Sequence, residues 1–257
     1  MKDFLSVARE AALRAGTLLR ENMGRPREIS YKGEINLVTE MDRRSEKAIV
    51  EILRAAFPDH SILAEEEANI EGGSAYRWVI DPLDGTTNYA HGYPNFAVSI
   101  ALERSDEVIA GVVYDPLRDE LFSAEKGAGA ALNGRPIHVS IADSLIRSLL
   151  ATGFPYDRVT SRKNNLNYFR ALLMASQEVR RSGSASLDLC SVAAGRLDGY
   201  WELKLHPWDV AAGSLIVREA GGMVSDFSGT RFSIHDKEIL ASNGNIHAQM
   251  LSVISKA

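Results

Sequence analysis

The residues Trp78-Val-Ile-Asp-Pro-Leu-Asp-Gly-Thr-Thr-Asn88 run from an apolar strand into two carboxylates and then two hydroxyls. Such a set can hold a cation and an anion side by side. Trp78, Val79 and Ile80 form a strand too apolar to face water, and Pro82, which has no N–H, is expected to take the chain out of the sheet. Asp81 and Asp84 then sit close together at the strand exit, where their repulsion is costly unless a positive group lies between them. A divalent metal ion meets that need. Gly85, Thr86 and Thr87 follow as the expected first turn of a short helix, whose free N–H groups suit a phosphate. An isolated Asp-Gly would be read more simply, as a turn with capping hydroxyls, but that reading leaves the paired carboxylates unexplained.

The elements that carry this segment follow from spacing. Leu5, Ala8, Ala12, Ala15 and Leu19 recur at helical period over 3–22, and a second helix is expected over 42–56, with Ile49, Ile52 and Leu53 inward and Phe57-Pro58 ending it. Strands are expected at 61–64, 77–80, 96–103, 108–115 and 120–124, with turns at Arg104-Ser-Asp106 and Pro116-Leu-Arg118. That half reads as an antiparallel sheet with helices on it. After Ser140 strands at 149–152, 178–180 and 200–203 alternate with helices at 164–175, 185–194 and 208–220, before a last helix at 246–255. The expected class is therefore α+β in two halves in close contact. Residues 1–140, with Asp81 and Asp84, form the first half and 141–257 the second, and the site is expected at their seam.

Composition narrows the function. A chain of 257 residues with 45% hydrophobic content can bury a sizeable core, and its formal net charge of −5 gives no global basic surface for nucleic acid or membrane. An acidic protein that binds phosphate needs a cation. Cys190 is the only cysteine, which excludes an intramolecular disulfide and a cysteine zinc cluster. The first ten residues mix charges with apolar residues and contain no long hydrophobic run, so neither secretion nor membrane spanning is expected and the cytoplasm is the default location.

Asp81-Pro-Leu-Asp-Gly-Thr-Thr-Asn88 resembles the first signature of the inositol monophosphatase family. Trp208-Asp-Val-Ala-Ala-Gly213, continuing to Glu219-Ala-Gly-Gly222, resembles the second. The resemblance extends from Asn36-Leu-Val-Thr-Glu-Met-Asp42 to the C-terminal helix. It implies a layered α-β-α-β-α sugar-phosphatase sandwich, a homodimer, Mg²⁺ as activator and sensitivity to Li⁺. On its own, Ser61-Ile-Leu-Ala-Glu-Glu-Glu67 would read as a strand ending in a solvated acidic loop. The resemblance makes Glu65 a metal ligand, with Glu66 behind the attacking water, and assigns the other ligand positions to Asp81, the Leu83 carbonyl, Asp84 and Asp209. All are oxygen donors, as Mg²⁺ prefers. Asp42 and Thr86 match the pair that orients the water, although Asp42 alone also reads as an acid at a helix N-terminus. Lys32 matches a basic loop that approaches the site.

The substrate side starts from Arg180-Arg-Ser-Gly-Ser-Ala185, which reads either as an anion or hydroxyl site or as a helix capped by Ser182 or Ser184. The resemblance implies that Gly183, Ser184, Ala185 and Glu202 approach a sugar ring, with Leu83, Asp84, Gly85, Thr86 and Asp209 completing the substrate contacts. A carboxylate at Glu202 accepts hydrogen bonds from two ring hydroxyls and repels a second phosphate, whereas Arg180 and Arg181 would attract one. Trp201 and Trp208 are expected to pack, and His206 to be structural. The expected function is Mg²⁺-dependent hydrolysis of a small polyol phosphate, inositol 1-phosphate foremost, by metal-activated water. The enzymatic alternative is a fructose-1,6-bisphosphatase or dual-specificity sugar phosphatase. The non-enzymatic alternative is a protein that binds the transcription machinery, as some bacterial relatives do, with direct nucleic-acid contact not expected.

Overall fold

The structure, a computed structural model, describes residues 3–24, 29–31 and 37–257; Lys32 and Asn36 lie outside them. In chain order the elements are α1 (Phe4–Asn22), β1 (Ile29–Tyr31), β2 (Leu37–Thr39), α2 (Glu40–Ala56), β3 (Ser61–Ala64), β4 (Asn69–Ile70), β5 (Tyr76–Asp84) and α3 (Thr86–Ala90). There follow β6 (Ala97–Arg104), β7 (Glu107–Asp115), β8 (Glu120–Glu125), β9 (Gly129–Leu132), β10 (Arg135–Pro136), β11 (Leu149–Thr152), α4 (Leu166–Ala175) and β12 (Glu178–Arg180). The chain ends with α5 (Ala185–Ala193), β13 (Gly199–Leu203), α6 (Pro207–Glu219), β14 (Met223–Ser225), β15 (Glu238–Ser242) and α7 (His247–Ile254).

An eight-stranded sheet in the order β10-β9-β8-β7-β6-β5-β3-β4 and a five-stranded sheet in the order β12-β11-β13-β15-β14 form the frame, beside the small β1-β2 pair. The larger sheet is antiparallel except where β3 runs parallel to β5. The smaller is parallel across β12, β11 and β13 and antiparallel beyond. Helices α1 and α2 cover one face of the larger sheet, α5 and α6 lie between the two sheets, and α4 and α7 pack together beyond the smaller one. These are the five expected layers.

Strand alternation explains why they adhere. On β5, Trp78 and Ile80 enter the core under α1 and α2, while Val79 enters the core shared with α5 and α6. On β13, Tyr200 faces that central core and Trp201 faces the outer one with Leu172 and Met250. A strand apolar on both faces can only survive buried between layers, and this is why these runs show no polar alternation.

Two expectations need correction. The chain does not leave the sheet at Pro82: β5 continues to Asp84, pairing Asp81 with Ser99 and Asp84 with Ala97, with a bulge between. The bulge accepts a residue without an N–H because no ladder bond is demanded there. Strands β9, β14 and β15 were not anticipated. Glu238–Ser242 is short, and its place is decided by pairing with β13 instead of by local pattern. Among the described residues no helix is long and apolar enough to cross a membrane.

One contact fixes the acidic loop to the helical layer. Glu46, buried on α2, accepts the backbone N–H groups of Glu66, Glu67 and Ala68 at 2.9, 2.9 and 2.8 Å. Glu46→Ala is expected to strand those donors and lower unfolding free energy by about 1–3 kcal/mol, with Glu46→Gln, which keeps an acceptor, in between. Urea melts check this, and an alanine variant as stable as the parent would sink it.

Candidate active site

The bulge in β5 sets the site. In a regular strand, residues three apart point to opposite faces; one extra residue on β5 across from Val98 brings Asp81 and Asp84 to the same side. The backbone groups of the bulge are all engaged locally. Leu83 N–H donates to Asp81 Oδ1 at 3.0 Å, Ser45 Oγ donates to the Pro82 carbonyl at 2.7 Å, and Thr86 Oγ1 lies 3.0 Å from the Leu83 carbonyl. Gly85, with φ of 94°, turns the chain from the strand into α3.

Around the bulge, a cleft of about 260 Å³ is lined by Glu65, Asp81, Leu83, Asp84, Gly85 and Thr86 from the larger sheet's side. Its other wall carries Gly183, Ser184, Ala185, Glu202 and Asp209. Eleven of the expected site residues therefore meet in one place. Asp42 stands behind them, fully buried on α2, where its Oδ1 lies 3.0 Å from Thr86 Oγ1. Glu66 follows Glu65 but does not line the cleft.

Arg180 is also absent from this wall. It ends β12, 3.8 Å from Glu178, and lines a neighbouring cavity, while Arg181 reaches the cleft. Arg181 lines that neighbouring cavity as well, so it stands between the two. His206, expected to be structural, lines the cleft and stacks on Trp208 with ring centroids 4.8 Å apart.

The electrostatics are those of a site that wants a cation. Burial, then repulsion from Glu65, Asp84 and Asp209, pushes the Asp81 carboxyl well above the ordinary range. Burial followed by the Glu65 charge does the same to Asp209. Asp84 is also raised by burial, opposed by hydrogen bonds from Ser184 and Ser186. Its Oδ2 takes Ser184 Oγ at 2.6 Å, Ser186 N–H at 2.8 Å and Ser186 Oγ at 2.5 Å. Asp209 caps its own helix by accepting the His206 N–H at 2.6 Å. Among the described residues no lysine or arginine forms an ion pair with Asp81, Asp84 or Asp209. Oriented, buried carboxylates without a cationic partner, beside a free carbonyl lone pair on Leu83, fit a hard divalent ion. Among the described residues no three cleft acids bring donor atoms within 4.8 Å of one another, so water and substrate oxygens would share the coordination.

The opposite wall is braced in part by residues to which the sequence assigned no role. Tyr200, two positions before Glu202 and so on the same strand face, donates its hydroxyl to Glu202 Oε2 at 2.5 Å. Burial pushes Glu202 up to about 7, opposed by that hydrogen bond and by Arg181. Gly153 lies against it: a Cβ there would stand 2.2 Å from Glu202 Oε1, so any larger residue would displace the carboxylate. Asn165 holds the Gly153 carbonyl at 2.5 Å and Thr152 Oγ1 at 2.8 Å, and accepts Trp201 Nε1 at 2.8 Å. Asp188 is a further buried acid, pushed well up by burial and bonded by Ser182 Oγ at 2.7 Å. Asn88 ties the walls together, its Nδ2 donating to the Asn95 carbonyl at 2.7 Å and the Ser182 carbonyl at 2.9 Å. The period-two spacing of Tyr200 and Glu202 was a usable signal; the Asn88 contact, 94 residues apart in sequence, left none.

The sequence and the fold that carry this site recur in known proteins. Residues 1–257 match the inositol monophosphatase family. The chain is 49% identical over 257 residues to the inositol-1-monophosphatase of Synechocystis sp., a match spanning 99% of this chain and 90% of that protein. It is 47% identical over 261 residues to the Nus factor SuhB of Pseudomonas aeruginosa, spanning 99% and 96%. The solved structure of the inositol monophosphatase from Anabaena (Nostoc) sp. superposes with a TM-score of 0.91 at 47% identity, covering 99% of this chain and 96% of that one. With no stretch of sequence outside the match and the same layers in space, this protein belongs to the inositol monophosphatase family of phosphatases.

Proposed function

We propose that this chain hydrolyses the phosphate monoester of a small polyol, inositol 1-phosphate foremost, with Mg²⁺ as its metal. The observation that carries the reading is the pairing, across one cleft, of Asp81, Asp84 and Asp209, which among the described residues form no ion pair with a lysine or arginine, with a buried hydroxyl acceptor, Glu202. Glu65, Asp81, Asp84, Asp209 and the Leu83 carbonyl would hold the metal, which when bound supplies positive charge against the phosphate and acidifies water. The chain's own groups then do the positioning. Gly85 and Thr86 line the cleft, where their backbone N–H groups would take phosphate oxygens. The Thr86 hydroxyl has one proton to give; donated to Asp42 Oδ1, it leaves the Thr86 oxygen free to accept a hydrogen bond from the attacking water and so to orient it. Glu66 stands behind that water in the second rank. Gly183, Ser184 and Ala185 shape the ring's resting place, and Glu202 accepts its hydroxyls. A second phosphate would meet the carboxylates of Glu202 and Asp188, which disfavours a bisphosphate sugar; Arg181 and Lys204, the latter paired with Asp157, are basic side chains that also line the cleft.

The same reading takes the protein as a cytoplasmic homodimer, each chain of which is built from the two halves 1–140 and 141–257. Sedimentation as a single chain would count against the dimer. A second role at the transcription machinery draws its support from relatives named Nus factor SuhB. Asp84→Asn separates the two: a variant without hydrolysis that still retains an RNA polymerase complex in pull-down shows independent functions, and absence of any complex with the parent protein removes the second.

The first test is phosphate release from inositol 1-phosphate, fructose 1,6-bisphosphate, a nucleoside 3′,5′-bisphosphate and histidinol phosphate, each with Mg²⁺ and with chelator. Preference for inositol 1-phosphate, abolished by chelator and inhibited by Li⁺, is expected; preference for the bisphosphate sugar would overturn the Glu202 assignment. Thr86→Ala and Asp42→Asn are expected to lower kcat by about 10²–10⁴ with little change in KM, and a KM effect alone would contradict the water-orienting role. Because Glu202 stands at about 7 against an ordinary 4.5, it is protonated below neutrality and accepts hydroxyls fully only above it. KM for inositol 1-phosphate should therefore fall as pH rises through about 7, and Glu202→Gln should lose that dependence and raise KM roughly 10- to 100-fold. The same shift means that the folded chain keeps a proton the unfolded chain releases, so Glu202's stabilising contribution fades as pH rises from about 4.5 through 7.

A further inference from the structure

Away from the cleft, one buried acid is only half bonded. Glu103 on β6 is 2% exposed, and Arg77 on β5 donates Nε to its Oε2 at 2.8 Å. Its other oxygen, Oε1, is shut off from water and has no hydrogen-bond partner. Buried carboxylate oxygens are nearly always satisfied, so this one points to a missing partner. Oε1 lies 3.8 Å from His235 Nε2, too far for a hydrogen bond. Asp106 adds a carboxylate oxygen, and the three donor atoms lie within 4.8 Å of one another. Two ligands of one ion with bonds of about 2.0–2.2 Å stand roughly 3–4 Å apart, so small side-chain rotations would close this set on a metal.

The supporting backbone suits such a role. Ser105 and Asp106 form the tight turn between β6 and β7, with φ of 51° and 63°. His235 sits on the connection between β14 and β15, in a turn held by Ser233 N–H donating to Asp236 Oδ2 at 2.7 Å. Asp106 and His235 are open to solvent, which gives an ion its path in, while Glu103 is anchored by Arg77. That arginine neutralises Oε2 and leaves Oε1 for the ion. Its Nη2 also stands 3.5 Å from His235 Nε2, a contact that an ion would replace.

We propose that Glu103, Asp106 and His235 form a second metal site, for a divalent transition-metal ion with Zn²⁺ foremost, separate from the phosphatase cleft. One imidazole and two carboxylates are a zinc-type donor set, whereas Mg²⁺ binds through oxygen and keeps its waters. The ion would staple the β6–β7 turn of the larger sheet to the chain entering the smaller sheet's antiparallel edge.

Calorimetric titration of Zn²⁺ into the full-length protein saturated with Mg²⁺, repeated on His235→Ala and Asp106→Asn, tests the site. The parent should take up one equivalent more than either variant. Zn²⁺ should also raise the Tm of the parent and not that of the variants, whose circular dichroism and Mg²⁺-dependent phosphate release stay unchanged. Equal uptake by all three proteins, or a Tm rise that survives both substitutions, overturns the proposal. Neither readout depends on which substrate the cleft accepts.

Discussion

Repulsion between carboxylates is the constraint around which this molecule is arranged. Asp81, Asp84, Asp209 and Glu65 press charges of one sign into a partly dry cleft, and each raises the cost of ionising its neighbours. A cluster left to relax would splay into solvent. Here three of the acids are instead held by something neutral: Asp81 by a backbone N–H, Asp84 by two serines, Asp209 by the start of its own helix. Neutral restraints hold the geometry without cancelling the charge, so the field stays available for an ion. Lysine or arginine in those places would have given a more stable fold and a quieter cleft.

The bulge in β5 shows how much of this was readable from sequence. The types and order of Asp81, Pro82 and Asp84 announced a metal site, and the proline announced a break in regular pairing. What the pattern did not reveal is that the strand survives the break and that the break itself swings Asp84 to the side of Asp81. The helices and the long strands were legible because their period persists for several turns or alternations. Strand β15 was not, since five residues carry too little pattern and its partners on β13 and β14 come from elsewhere in the chain. Which of Arg180 and Arg181 reaches the cleft was not legible for a similar reason: Arg181 lines it and Arg180 lines only the neighbouring cavity, and local sequence leaves phase at a strand end undetermined. Lys32 and Asn36 fall outside the described residues.

The central helical layer joins the two halves of the site as firmly as it joins the sheets. Helix α6 touches strands of both sheets, and α5 packs along it. From their N-terminal ends come Asp209 and the Ser184 and Ser186 groups that hold Asp84. Packing in that layer is dense: Cys190, the single thiol, is fully buried there, and its pKa is pushed well up by burial. Any shift of α5 or α6 against the larger sheet would be felt directly at the acids.

The bond from Asn88 to the Ser182 carbonyl has a consequence for how such a protein can change over time. Together with the bonds from Ser184 and Ser186 to Asp84, it locks the charged wall to the start of α5, and beyond those bonds the two walls have separate supports. The acids depend on β5, α2 and the helix starts, while Gly153, Arg181 and Glu202 hang from the smaller sheet and its loops. Substitutions in those loops can remodel the outline offered to a ring without disturbing the reactive corner. A scaffold divided in this way can acquire new selectivity by drift on one side while its reaction is inherited intact on the other.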